Sequence, residues 1–227
     1  MPDSFYHVYN RTNNKETLFL DEEDHHRFLN AYAFYISPVA QTYAYCLLPN
    51  HFHFLIKVRP LEDVLSYLRN GNEPAATRPQ KRILTQLISN NSVCYALQLQ
   101  FLRLFTSYSM FFNRKWNRKG NLFYRPFKRL PIQSGAYLSR LIFYIHANPQ
   151  KHGVEEDFLS YDWSSYHNLL LPNHHFLENE AVMEWFGGRS EFILFHNESA
   201  IPPLMKEWED EEEKKQGHLL EQTLILP

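Results

Sequence analysis

The sequence contains little cysteine, little glycine and no long apolar segment. Cys46 and Cys94 are the only cysteines, and seven glycines occur in 227 residues. Two cysteines cannot form the disulfide framework of a small secreted protein, and no apolar run approaches the roughly 20 residues of a membrane span. No glycines are arranged as a phosphate-binding loop, which argues against ATP- and NAD-binding designs. We therefore expect a folded cytoplasmic protein that is neither disulfide-rich nor membrane-spanning.

The central part of the chain lacks acidic residues. No Asp or Glu occurs from residue 74 to residue 154, and this basic interval contains thirteen Lys and Arg residues. The flanking residues 1–73 and 155–227 carry more acidic than basic residues. A long interval of one sign favours a polyanionic partner such as nucleic acid. The alternative is that the acidic C-terminal part folds back on the basic interval and neutralises it.

The hydrophobic pattern predicts the order strand, helix, strand, strand, helix, strand, helix. This order is typical of an α+β fold in which one antiparallel sheet is covered by helices, followed here by a C-terminal helical acidic appendage. The predicted strands are 5–10, 42–48, 52–58 and 122–132, with a hairpin turn at Pro49 and Asn50. The predicted helices are 21–37, 61–68, 81–113 with a break near 89–92, and 135–147, capped by Ser134 and ended by Pro149.

Two histidines follow the predicted hairpin turn. His51 and His53 flank Phe52, and residues two apart on a strand point to the same face, so both imidazoles can reach one metal ion. Phe52 and Phe54 would then point into the core. The spacing alone is equally typical of two structural histidines.

A tyrosine and an asparagine share one face of the last predicted helix. Tyr144 and Asn148 are four residues apart, so a phenol and an amide project together. A tyrosine hydroxyl is a weak nucleophile near pH 7 unless a cation assists it. Without further context, packing with a hydrogen-bonded hydroxyl is the default role for Tyr144, one of fourteen tyrosines.

Separated segments of the chain resemble a known family. Residues 48–56 read LPNHFHFLI, and residues 144–153 read YIHANPQKHG. Together with FYHVYNR at 5–11 and GNLFYRPFK at 120–128, they resemble the HUH single-tyrosine transposases of bacterial insertion sequences, and more closely their REP-associated branch. The resemblance covers about residues 4–165.

The resemblance implies a ferredoxin-like or RRM-like catalytic domain over residues 1–165 and a C-terminal appendage with an acidic tail over residues 166–227. It implies that Tyr144 is the nucleophile and that His51, His53 and Asn148 bind a divalent cation, Mg²⁺ or Mn²⁺. Members of the family cleave single-stranded DNA next to a hairpin through a 5′-phosphotyrosine intermediate and can rejoin the strands. They commonly act as homodimers.

Basic and aromatic residues interleave along the basic interval, a mixture that pairs phosphates with charge while unpaired bases stack. The residues expected to bind DNA are Arg11, Arg114, Lys115, Arg118, Lys119, Arg125, Lys128, Arg129 and Lys151. Two alternatives stay open at this point. One is a domesticated, non-catalytic protein that binds DNA hairpins, and the other is a metal-dependent hydrolase that uses water as its nucleophile.

Overall fold

The computed structural model describes residues 1–69, 81–82, 84–86, 93–124, 126–132, 137–172 and 175–199. The four strands of its sheet are β1 (Phe5–Arg11), β2 (Ala40–Leu48), β3 (His51–Val58) and β4 (Lys128–Ile132). The α-helices that lie wholly within the described residues are α1 (Glu22–Ile36), α2 (Leu61–Arg69), α3 (Val93–Lys115), α4 (Leu138–Lys151), α5 (Tyr166–Leu170), α6 (Asn179–Phe186) and α7 (Arg189–Glu198). The predicted break at 89–92 and the predicted cap Ser134 lie outside the described residues.

The four strands form one antiparallel sheet in the order β2-β3-β1-β4. Helices α1 and α3 contact each other and pack on one face, and α4 lies against β2 and β3 on the opposite face. The predicted α+β fold with an antiparallel sheet covered by helices is therefore confirmed. Its order β1-α1-β2-β3-α3-β4 is that of the ferredoxin-like motif, with the short α2 added between β3 and α3.

The N-terminus of α1 forms as its sequence predicts. Asp21 is the N-cap, and its Oδ1 accepts a hydrogen bond from the Asp24 backbone N–H at 3.0 Å. Tyr32 lies on the buried face of the helix and stacks on Phe54 of β3, with ring centroids 4.0 Å apart. This packing places the even-numbered side chains of β3 in the core between the sheet and α1.

The fourth strand is shorter than predicted. It begins at Lys128 instead of residue 122, and Phe123 pairs with Thr12 only in an isolated bridge. Pro126 lies between these two stretches and has no N–H to donate to a ladder. The pairing with β1 is consequently interrupted, and β4 proper is an edge strand of five residues.

The prediction that Pro149 ends the last helix of the basic interval is wrong. Helix α4 continues through Pro149 to Lys151. The Asn148 side chain explains why, because its Nδ2 donates to the carbonyl of Tyr144 at 3.1 Å and to that of Ile145 at 3.5 Å. The Ile145 carbonyl is the group that an N–H at position 149 would have satisfied, so the amide replaces the missing donor.

The helices after residue 165 pack into the main core. Tyr166, Val182 and Phe192 are buried in the same apolar cluster as the sheet, and Leu177 forms a bridge with Thr42 of β2. The domain boundary at residue 165 stays a prediction, although residues 166–199 that the structure describes are packed against the sheet rather than set apart. The predicted acidic tail lies outside the described residues. Within the part of the chain that the structure describes, no helix has the length and apolar character needed to cross a membrane.

A buried chain of hydrogen bonds joins α4 to Ser165, which is itself bonded to β2, and to α7. His146 of α4 lies 2.7 Å from Ser165 Oγ through Nε2 and 2.9 Å from His196 Nε2 through Nδ1. His196 Nδ1 lies 2.8 Å from the Phe192 carbonyl, which can only accept, so this nitrogen carries the proton. His196 Nε2 then accepts from His146, and His146 Nε2 accepts from Ser165. Every polar atom of the two neutral imidazoles is satisfied in this arrangement.

Acid is expected to destabilise the fold through these histidines. Burial lowers the pKa of His196 to about 4 and holds the pKa of His146 well below its usual range. As the pH falls from about 6.5 towards 4, the unfolded chain binds protons that the folded chain does not, so the free energy of unfolding decreases. The lowered pKa of His196 alone decreases the free energy of unfolding by an amount on the order of 3 kcal/mol over this pH range. Urea unfolding at several pH values between 7.5 and 4.5 measures this decrease.

A matched pair of variants tests the source of this pH dependence. His196→Gln should unfold more easily at pH 7.5 but show a shallower decrease on acidification, since one buried titrating ring is gone. His167→Ala, at an exposed position on α5, should keep the wild-type slope. Equal wild-type stability at pH 7.5 and pH 4.5 would contradict the neutral buried chain.

Candidate active site

The two predicted metal-binding histidines lie on the face of the sheet that α4 covers. His51 begins β3 and is half-buried, whereas His53 is 2% exposed. Their ring centroids lie 5.2 Å apart. Phe52 and Phe54 point to the opposite face, where they contact Phe28, as the alternation of the strand predicts.

A third histidine orients His53. His7 of β1 lies with its Nε2 3.0 Å from His53 Nδ1, and both rings are buried. When His53 carries its proton on Nδ1 and donates it to His7, its Nε2 lone pair is directed away from β1. Burial holds the pKa of His53 well below its usual range, and the nearby His7 lowers it further. His53 is therefore neutral near pH 7, which is the form that binds metal ions.

Helix α4 brings the predicted nucleophile to the same place. The Tyr144 ring lies 6.3 Å from the His53 ring, nearly perpendicular to it, and at the same distance from the His7 ring. Asn148, one turn further along, is fully buried. The Tyr144 ring therefore lies against the histidines, and the spacing of four residues places the Asn148 amide on the same face of α4.

Two polar atoms of the predicted metal-binding residues are buried and unsatisfied within the described residues. His53 Nε2 and Asn148 Oδ1 are both buried, and neither has a hydrogen-bond partner within the described residues. The Asn148 Nδ2 faces two carbonyls, so its Oδ1 faces the other way. Buried acceptors are normally satisfied, and a cation is one way to satisfy them. The residues that the structure describes contain no group of three or more His, Cys, Asp or Glu placed to hold a metal ion, so a cation here would need the Asn148 amide as well as imidazoles.

Two residues at the C-terminal end of α4, the last helical residue Lys151 and the C-cap His152, reach the site in ways the sequence interpretation missed. Lys151 Nζ donates a hydrogen bond to the Tyr144 hydroxyl at 2.9 Å and lies 4.7 Å from the centre of its ring. The His152 ring lies 4.8 Å from the His51 ring. Helical spacing could have predicted both residues, because positions seven and eight after Tyr144 lie on the same helix face as Tyr144 and Asn148. Lys151 had been expected only to bind DNA.

Strand register divides the predicted DNA-binding residues between the two faces of the sheet. Arg11 is directly opposite His51 in the ladder, and Lys128 is opposite Tyr9, which is itself opposite His53. Directly paired residues share a face, so Arg11 and Lys128 lie on the same face as the histidines. Arg129 lies on the other face. Positive charge therefore borders the site on the side of β1 and β4.

The remaining predicted DNA-binding residues have different surroundings. Lys115 Nζ lies within 3.1 Å of carboxylate oxygens of Asp21, Glu23 and Asp24 at the N-terminus of α1. Arg118 pairs with Glu16 at 2.5 Å. These acids precede residue 74, so part of the basic interval is neutralised by the N-terminal region and not by the C-terminal part considered above. Arg114 and Lys119 are exposed, and Arg125 lies outside the described residues.

Comparisons with known proteins include a likeness to a solved structure. No protein-family model matches the sequence, and no curated protein matches it. Among solved structures, the chain is similar to one described as a REP-associated tyrosine transposase bound to a REP hairpin, at 15% sequence identity and a TM-score of 0.47. The match covers 75% of this chain and 81% of that chain. At this level of similarity, the function has to be inferred from the chain's own side chains.

Proposed function

We propose that this protein is a metal-dependent single-stranded DNA endonuclease and strand transferase that uses Tyr144 as its nucleophile. Its substrate class is single-stranded DNA next to a hairpin, and the product is a 5′-phosphotyrosine bond with a free 3′-hydroxyl. Rejoining is the reverse reaction. The homodimer expected from the sequence stays a prediction, which light scattering of the purified protein can test.

One observation carries this proposal. Tyr144, His51 and His53 come from segments about ninety residues apart in the sequence, yet the fold packs them together. The Asn148 oxygen and the His53 Nε2 are buried and have no hydrogen-bond partner in the described part of the chain. A purely structural cluster would be expected to satisfy these atoms, because an unpaired buried polar group costs about 1–3 kcal/mol.

The residues divide into two roles. His51, His53 and Asn148 would hold a divalent cation, which when bound polarises the scissile phosphate and offsets charge on its oxygens. Two imidazoles favour Mn²⁺ over Mg²⁺ in affinity, and Mg²⁺ is expected to act when it is abundant. Tyr144 supplies the oxygen that attacks the phosphorus. Because covalent capture conserves the energy of the phosphodiester bond, the proposed reaction needs no nucleotide cofactor.

The burial of Tyr144 favours a second candidate, a protein that binds hairpins without cutting them. Its side chain is only 2% exposed, and a phosphate must reach its hydroxyl for the reaction to occur. The exposed His152 lies at this end of α4, so movement of its side chain would give access while Lys151 stays hydrogen-bonded to the hydroxyl. The two candidates differ in one observable, the covalent adduct.

The test uses a labelled pool of hairpin oligonucleotides with randomised single-stranded flanks, incubated with the full-length protein and Mn²⁺. Denaturing gel electrophoresis separates free DNA, cleaved DNA and protein-linked DNA. The proposal predicts cleaved DNA together with a protein-linked band that disappears with a chelator. Binding without cleavage supports the second candidate, and cleavage without a protein-linked band indicates water as the nucleophile.

Binding of the same pool is expected to weaken steeply with salt. Arg11 and Lys128 border the site. Arg114 and Lys119 are exposed, and they shortly precede residues 122–124, which bond to Arg11 and Asn13 at the end of β1. About four phosphate contacts at roughly −0.7 each give a slope near −3 for log K against log salt concentration. Fluorescence anisotropy at 50–300 mM salt, with Mn²⁺ replaced by a chelator, measures this slope.

Two single-charge variants sharpen this prediction. Arg11→Gln should reduce the magnitude of the slope by roughly 0.7, because one phosphate contact is lost. Lys115→Gln also removes one positive charge, but Lys115 forms ion pairs with Asp21 and Asp24 at the N-terminus of α1. Because these carboxylates already neutralise the lysine, the variant should leave the slope unchanged. A slope near zero for the wild type would show that the charges bordering the site do not contact DNA.

A further inference from the structure

We infer that Lys151 is a catalytic residue that assists Tyr144 in both directions of strand transfer. This inference rests on the proposed function and adds a group that neither the sequence motifs nor a metal site requires. Lys151 Nζ lies 2.9 Å from the Tyr144 hydroxyl oxygen, which is the atom that would attack the phosphorus. The same ammonium lies over the Tyr144 ring, 4.7 Å from its centre.

The direction of the hydrogen bond determines what Lys151 does. A lysine ammonium can only donate, so the tyrosine oxygen accepts the bond. A hydrogen bond from a cation strengthens as the accepting oxygen becomes negative. The contact therefore stabilises the phenolate more than the phenol, and it stabilises the partial charge on this oxygen in the transition state.

The chemical step is balanced with Lys151 protonated throughout. Tyr144 loses its phenolic proton to solvent, its oxygen forms a bond to phosphorus, and the bond between phosphorus and the 3′-oxygen breaks. The departing 3′-oxygen takes up a proton from solvent. In the reverse reaction, the 3′-hydroxyl loses its proton to solvent as its oxygen attacks the phosphorus, and the bond from phosphorus to the Tyr144 oxygen breaks. The Tyr144 oxygen leaves as a phenolate, which Lys151 stabilises in the same position until it takes up a proton from solvent.

Helix geometry keeps the lysine at this place. Lys151 follows Tyr144 by seven residues, two turns along the same face, and this requires α4 to continue beyond Pro149. The Asn148 amide makes that continuation possible by bonding the carbonyls of Tyr144 and Ile145. A helix that ended at Pro149, as the sequence predicts, would not fix Lys151 over the phenol.

The experiment measures cleavage and rejoining separately. The hairpin pool and Mn²⁺ give the rate of adduct formation, and isolated adduct mixed with an oligonucleotide bearing a 3′-hydroxyl gives the rate of rejoining. Lys151→Met should slow both rates by the same factor, roughly ten- to a hundredfold, since a charge-assisted hydrogen bond to the reacting oxygen is lost. Lys151→Arg keeps a donor cation and should retain more of both rates than Lys151→Met does.

Arg140→Met is the matched control, because it removes one positive charge from an exposed position on the same helix. DNA affinity, measured by anisotropy, should fall equally little in Lys151→Met and Arg140→Met, while only Lys151→Met loses rate. Wild-type rates in a folded Lys151→Met, or a rate loss explained entirely by weaker DNA binding, would overturn the inference. If the wild-type protein formed no adduct, the proposed function itself would fail, which is a different outcome.

Discussion

Replacing Tyr144 with phenylalanine is expected to abolish the covalent adduct and strand cleavage while leaving hairpin binding nearly unchanged. Only the oxygen that attacks the phosphorus is removed, and the ring continues to pack between α4 and the histidines of β1 and β3. The loss of the hydrogen bond from Lys151 should lower the free energy of unfolding by about 1–3 kcal/mol at most. Gel analysis with the hairpin pool gives the cleavage result, and anisotropy gives the affinity.

Tyr137→Phe is the control for this variant. Tyr137 is the N-cap of the same helix and the nearest tyrosine before Tyr144 in the sequence. The Tyr137→Phe protein should form the adduct at the wild-type rate. A persistent adduct in Tyr144→Phe would mean that another tyrosine attacks the phosphate, and the assignment of Tyr144 would be wrong.

Replacing either His51 or His53 with alanine is expected to abolish metal-dependent cleavage. Each histidine is one of few protein groups that could hold the cation, and even supporting partners of metal ligands change affinity by about tenfold or more. Titration of Mn²⁺ into the protein without DNA, followed by electron paramagnetic resonance, should show at least this loss of affinity. The measurement does not depend on the identity of the DNA target.

Further variants separate metal binding from packing. His53 is fully enclosed, so His53→Gln, which keeps polar atoms in the space, should accompany His53→Ala. His26→Ala, at an exposed position on α1, should leave Mn²⁺ affinity unchanged. His7→Phe should weaken Mn²⁺ binding less than His53→Ala does, because His7 contacts only the other nitrogen of the ring. Full activity with the same metal dependence in a His51 or His53 variant would refute the metal site.

Asn148 has a structural role in helix α4 and a proposed role as a metal ligand. Its amide nitrogen stabilises α4 across Pro149, and its oxygen is the buried atom available to a cation. Asn148→Ala should therefore destabilise the C-terminal end of α4 in addition to weakening metal affinity. This dual role was not predictable from the spacing to Tyr144, which indicates only that the amide and the phenol share a helix face.

Local signals in the sequence predicted most of the elements and the central pair of histidines. Asp21 as an N-cap, the turn at Pro49 and Asn50, and the alternation around Phe52 depend on neighbours within a few residues. Such features follow from backbone and side-chain rules that act over one turn or one strand. The strand order follows once the helices and the hairpin are placed on one sheet.

Contacts between distant segments account for what the sequence did not reveal. His7 and His53 are 46 residues apart, and Lys115 meets Asp21 across 94 residues. The buried bonds from His146 to Ser165 and His196 likewise depend on how the C-terminal helices dock on α4. None of these pairings has a periodic pattern in the sequence, because tertiary packing alone determines which helix faces meet. Lys151 illustrates the consequence, because a residue assigned to phosphate binding by its charge also contacts the proposed nucleophile.

The most direct test of the account is to locate the DNA on the protein. Full-length protein incubated with the hairpin pool and Mn²⁺ would be denatured, digested with nuclease and trypsin, and examined by mass spectrometry. Cleavage after Arg140 and Lys151 yields a peptide of residues 141–151 in which Tyr144 is the only tyrosine. The account predicts that this peptide carries a nucleotide joined through its 5′-phosphate. Cleaved DNA with an unmodified 141–151 peptide, or a nucleotide on any other tyrosine, would contradict it.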